Sequence, residues 1–206
     1  MTVETGEWID PPELQVTGMD IVRSDKAEIT TELLEDALSV ILSEGTQSEI
    51  KSALYDVIEE TYTAAMNREI PNRKLARPRG MSKPPEKYGS PSNTPMPTYR
   101  GAKYSNQNFE WENMTGGAKP MLLYIDKVRS PEYPHTYTAE TKEGGQPVDA
   151  VALEHPERLP DGFRIDIDKM VEKVIEDPLA PILSPLNWSV EDALADTEQV
   201  GFGDFM

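Results

Sequence analysis

The residues able to do chemistry are few, and the most numerous of them are cations crowded into one window. Between Arg68 and Lys103 there are nine Lys or Arg (Arg68, Arg73, Lys74, Arg77, Arg79, Lys83, Lys87, Arg100, Lys103) against two Glu, a local charge of +7. The 206-residue chain as a whole carries -17, so the remainder holds -24. Charges are screened from one another beyond about 10 Å at 0.1 M salt, so this window is a candidate footprint for phosphates even in an acidic protein. A solvated, irregular loop is the alternative reading of the same run.

Acid–base and metal chemistry find little material. With no Cys, thiolate zinc sites and cysteine nucleophiles are excluded, and His135 and His155 stand alone, without acidic or nucleophilic partners at a recognisable spacing. Both read as surface residues. Asp166 and Asp168 form an Asp-x-Asp pair, which on paper could hold a metal. They fall where a helix should begin, and carboxylates there are favoured by the helix dipole by about 0.3–1 kcal/mol without any metal. No catalytic residue and no metal ligand is assigned.

These groups need elements to hold them. Residues 1–24 read as an extended entry, with Leu14, Val16, Ile21 and Val22 at strand-like positions around Gly18. Residues 25–70 read as a helical hairpin. Asp25 and Glu28 have capping-box spacing, and Ile29, Leu33, Ala37 and Ile41 recur at helical spacing over about five turns, up to Gly45. Thr46 and Glu49 make a second capping box, followed by Ile50, Leu54, Val57, Ile58 and Ala65 along one face until Pro71. Residues 71–118 are rich in proline, show no sustained period and read as a basic loop region.

Residues 119–192 should supply a small antiparallel sheet and C-terminal helices. KPMLLYIDKV reads as a buried strand, and TYTAE and PVDAVAL are further strand candidates separated by Gly144 and Gly145. From Asp166, the residues Ile167, Met170, Val171, Val174 and Ile175 return to helical spacing, with Pro178 expected to kink or interrupt the helix. Ser189 and Asp192 can cap a last helix. The expected fold class is α+β.

The order of these features resembles the thumb and C-terminal region of family B DNA polymerases of archaeal and T-even phage type. GMDIVRSDKAEIT, the helix–Gly–helix unit and IPNRKLARPRGMSKPPEKY are similar to the point where the family's chain leaves the palm. Lys83 to Ala102 resembles a "KxxxxY…P…A" stretch, Tyr124 and Ile125 a "YI" strand, Arg100 and Gly101 an "RG" pair, and Lys169 to Leu183 a proline-interrupted helix. The similarity covers roughly residues 13–206 and rests on collinear signals, none sufficient alone. No run like the family's "YxDTDS", "SLYPS" or "KKRY" occurs. The palm carboxylates that would hold two metal ions about 4 Å apart are therefore missing, and magnesium is expected on a separate palm. A chain that starts near the end of a palm with its own Met1 is what a split polymerase gene or a broken reading frame would produce.

The resemblance gives the cations an expected role. A thumb grips duplex DNA through its phosphates, with no base-specific readout. Arg73, Lys74, Arg77, Arg79, Lys83 and Lys87 are the foremost candidates, with Arg100 and Lys103 at the end of the window. Arg23, at the palm–thumb junction, contacts primer-template or palm on this reading, or else pairs with Asp25 or a helix residue.

The last residues, QVGFGDFM within a tail spanning 193–206, are similar to the short peptide with which many replication proteins bind a sliding clamp. Gln199 takes the first position, Phe202 the fourth, and Phe205 and Met206 the seventh and eighth, so the apolar three share one side of a single helical turn. A terminus whose Phe packs on its own domain is the alternative. Excess acid with only 11 Lys matches a protein kept soluble at high salt, which points to a halophilic archaeon or its virus. The expected partners are primer-template DNA, a palm and exonuclease chain and a clamp, in the cytoplasm, with no membrane. The alternatives are a non-enzymatic acidic adaptor and a remnant of a decayed polymerase gene.

Overall fold

The computed structural model describes residues 24–94, 96–137 and 145–200. The entry at 1–24, with Arg23, lies outside the described residues save for Ser24, and so do Phe202, Phe205 and Met206. Seven α-helices and four short strands follow one another in an α+β order among the described residues. The helical hairpin is present: α1 spans Glu28–Ile41 and α2 spans Gln47–Met66, and they pack together through Leu33, Leu34, Ala37 and Leu38 against Leu54, Tyr55 and Ile58, all buried. Apolar residues at that spacing bury one stripe of each helix, which is what holds the pair.

The two expected capping boxes fare differently. Thr46 Oγ1 accepts from the Glu49 amide while Glu49 Oε2 accepts from the Thr46 amide at 2.8 Å, so α2 begins as its sequence dictates. The Asp25–Glu28 box does not form. Helix α1 starts at Glu28 with Ala27 in the N-cap position, and the Asp25 carboxylate instead accepts from Arg79 Nη1 at 3.3 Å. Fourteen residues make α1 about four turns rather than five, and it stops at Ile41, short of Gly45.

The larger correction concerns residues 71–118, which are structured rather than a loop region. They contain α3 (Asn72–Leu75), β1 (Arg77–Pro78), two 3-10 turns at Pro85–Tyr88 and Pro91–Asn93, and α4 (Pro97–Asn108). Helix α4 buries every residue from Thr98 to Ser105, polar and charged side chains included, so its polar residues mark no solvent face. A helix enclosed on nearly all sides has no polar face to announce it. Pro97 at its first position costs no hydrogen bond, since the first amides of a helix have no internal partner.

The sheet is small and antiparallel, with β2 (Met121–Val128) at its centre. Strand β2 pairs with β1 at Leu122 and Met121, with β3 (Ala150–Leu153) from Met121 to Tyr124, and with β4 (Phe163–Ile165) from Ile125 to Val128. The candidate strand TYTAE is described only at Thr136 and Tyr137, where Thr136 bridges Pro147. Helix α4 lies on β3, and α5 (Ile167–Val171) lies on β2. The hairpin packs against α5 and against α6 (Asp177–Leu183) and α7 (Val190–Val200), completing one apolar core.

Pro178 interrupts the regular α-helix, as expected, without ending the helical path. A π-turn at Glu172–Glu176 joins α5 to α6, so the helix widens where the proline would have clashed. In a regular α-helix the Val174 carbonyl would await the amide of residue 178, and proline has none. Thr30 of α1 supplies a donor: its buried hydroxyl reaches Val174 O at 2.6 Å. Replacing Thr30 with valine keeps the shape and removes this donor, and should cost about 1–2 kcal/mol in urea unfolding. A loss below the error of the measurement would show that the π-turn satisfies Val174 unaided.

Candidate nucleic-acid interface

The first half of the basic window is folded back onto the start of α1. Arg73 and Lys74 sit in α3, where Arg73 Nη2 lies 3.4 Å from Glu28 Oε1 and Lys74 Nζ 2.5 Å from Glu32 Oε1 and 3.6 Å from Glu28 Oε1. The Glu32 hydrogen bond holds the Lys74 ammonium above its ordinary pKa. Arg79 pairs with Asp25, and its amide donates to Pro120 O at 2.8 Å. Arg77, opposite Leu122 on β1, is half-buried, and burial together with the neighbouring Arg79 lowers its pKa. It makes no ion pair within 4 Å among the described residues, and neither do exposed Lys83 and Lys87.

The far end of the window points inward. Arg100 and Lys103 lie on α4 at 8% and 4% exposure, away from the surface a phosphate could reach. Arg100 is committed to Asp149: its Nε donates to Oδ1 at 2.9 Å and its Nη2 to Oδ2 at 2.6 Å, a two-pronged pairing, while Nη1 donates to Thr94 O at 2.6 Å. Tyr137 closes the group, its single hydroxyl hydrogen lying between Asp149 Oδ1 and the Ala150 carbonyl. Burial pushes the Tyr137 hydroxyl upward in pKa, so it remains a donor. Beside Arg100, Gly101 permits the close approach of helix to strand, since a Cβ there would meet Ala152 N and Val151 C at 2.8 Å. The "RG" pair is thus a packing device, with Arg100 as its polar lock.

The remaining candidates are placed simply. Asp166 is the N-cap of α5, accepting from the Lys169 amide at 3.0 Å, which is a structural use of the Asp-x-Asp pair. Both histidines are exposed: His135 Nδ1 is 2.7 Å from Val128 O, and His155 lies 3.4 Å from Glu157. Ser189 Oγ accepts from the Asp192 amide at 3.0 Å at the start of α7, as its sequence suggested. Gln199 falls near the end of α7, and its side chain lies outside the described residues.

No family model matches the sequence, and no curated protein matches it either. The fold does have a counterpart among solved structures. The family B DNA polymerase of the hyperthermophilic archaeon Pyrobaculum calidifontis superposes with a TM-score of 0.51 at 14% identity, over 76% of this chain. This chain spans 17% of the length of that polymerase. At that identity the likeness is one of fold, found here in the family that the order of the sequence features resembles. Among the described residues no helix is long and apolar enough to cross a membrane.

Proposed function

We propose that this chain serves as the thumb and C-terminal part of a family B DNA polymerase, holding primer-template DNA for a palm supplied by a second chain. The observation that carries the reading is the likeness in fold to a family B DNA polymerase, the family that the order of the sequence features resembles. The sequence resemblance rests on collinear motifs, the structural likeness on backbone shape, and both lead to the same family. Catalytic magnesium belongs to the palm on this reading, and the chain contributes binding and orientation. The tail at Gln199, Phe202, Phe205 and Met206 would tether the assembly to a sliding clamp, which matters most if the cell is salty and phosphate contacts are weak.

Primer extension tests the reading. The chain alone should synthesise nothing, and adding it to a matching palm-containing chain should raise synthesis by at least about tenfold, roughly 1.4 kcal/mol of transition-state stabilisation. With clamp present, deleting residues 199–206 should shorten products on long templates and leave short templates unaffected. Synthesis by this chain alone, or no gain on mixing, would refute the proposal.

Neutralising Arg73, Lys74, Arg77 and Arg79 together should weaken duplex binding across all sequences and flatten its salt dependence, by about 0.9 in log–log slope for each phosphate no longer neutralised. Three of the four are paired with carboxylates, so each must exchange Glu28, Glu32 or Asp25 for a phosphate. A wild-type slope in the quadruple variant would show that they keep their carboxylates instead.

A further inference from the structure

Four cations of the basic window, Arg73, Lys74, Arg79 and Arg100, are matched by acid, whereas two at the end of β2 are not. Lys127 and Arg129, at the end of β2, are exposed and make no ion pair within 4 Å among the described residues. Lys127 stands directly opposite Arg164 of β4. Like charges facing each other across an antiparallel ladder are destabilising, and Asp126, paired with Arg164, offsets one of the two. The fold keeps this arrangement in place. The Arg129 amide donates to Gly162 O at 2.7 Å, and Gly162, at φ +93°, lets Ser130 approach where a Cβ would meet its backbone nitrogen at 2.9 Å.

The register shows where these side chains point. Adjacent residues of a strand face opposite ways, so Ile165 and Arg164 lie on opposite faces, and with them their partners Ile125 and Lys127. The irregularity at Asp126 makes this possible for two β2 residues that are two apart. Lys127 therefore shares its face with Tyr124 and Leu122, and so with Arg77, the partner of Leu122. Lys169 of α5 lies over the Tyr124 ring at 4.8 Å, between the two ends. This side of the sheet, buried at Leu122 and Tyr124 where α5 covers it, has Arg77 at one end and Lys127 with Arg164 at the other, about 16 Å apart at the usual strand rise, with Lys169 of α5 between them and Arg129 beyond.

The structure assigns this row, which shares Arg77 with the basic window, as a phosphate track for duplex DNA centred on Lys127, Arg129 and Arg164. The inference rests on the proposed role in holding DNA and adds the surface that does so. Duplex DNA presents a charge about every 1.7 Å along its axis, so a row of this length meets several phosphates without reading any base.

The test uses the full chain and a fluorescent 20-base-pair duplex, titrated at several salt concentrations. The variant Lys127→Gln with Arg129→Gln and Arg164→Gln should bind roughly tenfold or more weaker at 0.1 M salt, with a slope shallower by about 0.9 for each phosphate released. A charge-matched control carries Lys51→Gln, Arg158→Gln and Lys173→Gln, and circular dichroism confirms that both variants fold. Equal losses in variant and control would overturn the inference by reducing the effect to overall charge. Unchanged binding in the variant would overturn it too, while wild-type binding and reconstitution left the polymerase reading standing. A wild-type chain that binds no duplex, alone or with a palm chain, would remove both.

Discussion

Replacing Gly101 with alanine should lower stability by about 3 kcal/mol, at the upper end of the penalty for overpacking a core, or prevent folding. The added methyl would meet the Ala152 nitrogen and the Val151 carbonyl carbon at 2.8 Å. Both atoms belong to the backbone of β3, so neither can swing aside as a side-chain tip would. Helix α4 would have to lift off the strand and loosen Thr98 to Ser105, all of them buried. Gly80→Ala is the internal control, because a Cβ at residue 80 has nothing within 4 Å. Restricting that glycine in the unfolded chain should leave stability unchanged or slightly raised. Urea unfolding followed by tryptophan fluorescence reads both, and equal midpoints would refute the close contact of α4 with β3.

Asp149→Ala should cost about 3 kcal/mol, the lower end of the range for breaking a buried ion pair, because Asp149 is itself half-exposed at 47%. The damage falls on the partner. Arg100, 9% exposed in its side chain, would keep its guanidinium inside with the Thr94 carbonyl and the Tyr137 ring but no counter-charge. Tyr137 would lose one of its two acceptors at the same time. Adding Arg100→Met to Asp149→Ala should recover a substantial part of the loss, since the stranded charge is then gone and a chain of similar volume fills the space. A double-mutant cycle reads the coupling, and purely additive losses would show that the pair is not a unit. The salt slope of duplex binding should not respond to Arg100→Met, which separates this arginine from the cations proposed to meet phosphate.

The parts of the fold legible in the sequence are those with a polar side. The stripes of α1 and α2 and the Thr46 box could be read because water covers the opposite face of each helix. Helix α4 could not, because its polar residues Thr98, Arg100, Lys103 and Ser105 are buried and mark no water-facing side, and its residues include Thr, Gly, Ser and Asn, which are poor helix formers. Tertiary packing overrides local preference there. Likewise Asp25 has the right spacing for a cap, and an arginine 54 residues away claims it. Charge in a window is visible in sequence, but its counter-charge is not, so the matching of Arg73 and Lys74 by α1, of Arg79 by Asp25 and of Arg100 by Asp149 is seen only in three dimensions. The cations of β2 were overlooked for the opposite reason. Within KPMLLYIDKV the apolar run dominates, and the alternation of Lys127, Val128 and Arg129 marks the point where one side of the strand turns to solvent.

The hydrogen bond from Thr30 to Val174 spans 144 residues. A chain emerging residue by residue from a ribosome makes α1 and α2 about a hundred residues ahead of α5 to α7, against which they pack. The apolar side of the hairpin stays bare until those segments follow. Closure between remote segments also slows folding, because chain entropy is lost before contacts compensate. The hairpin should therefore be the part of the nascent protein most in need of a chaperone. Early termination before Asp166 should yield an aggregation-prone fragment rather than a smaller folded one.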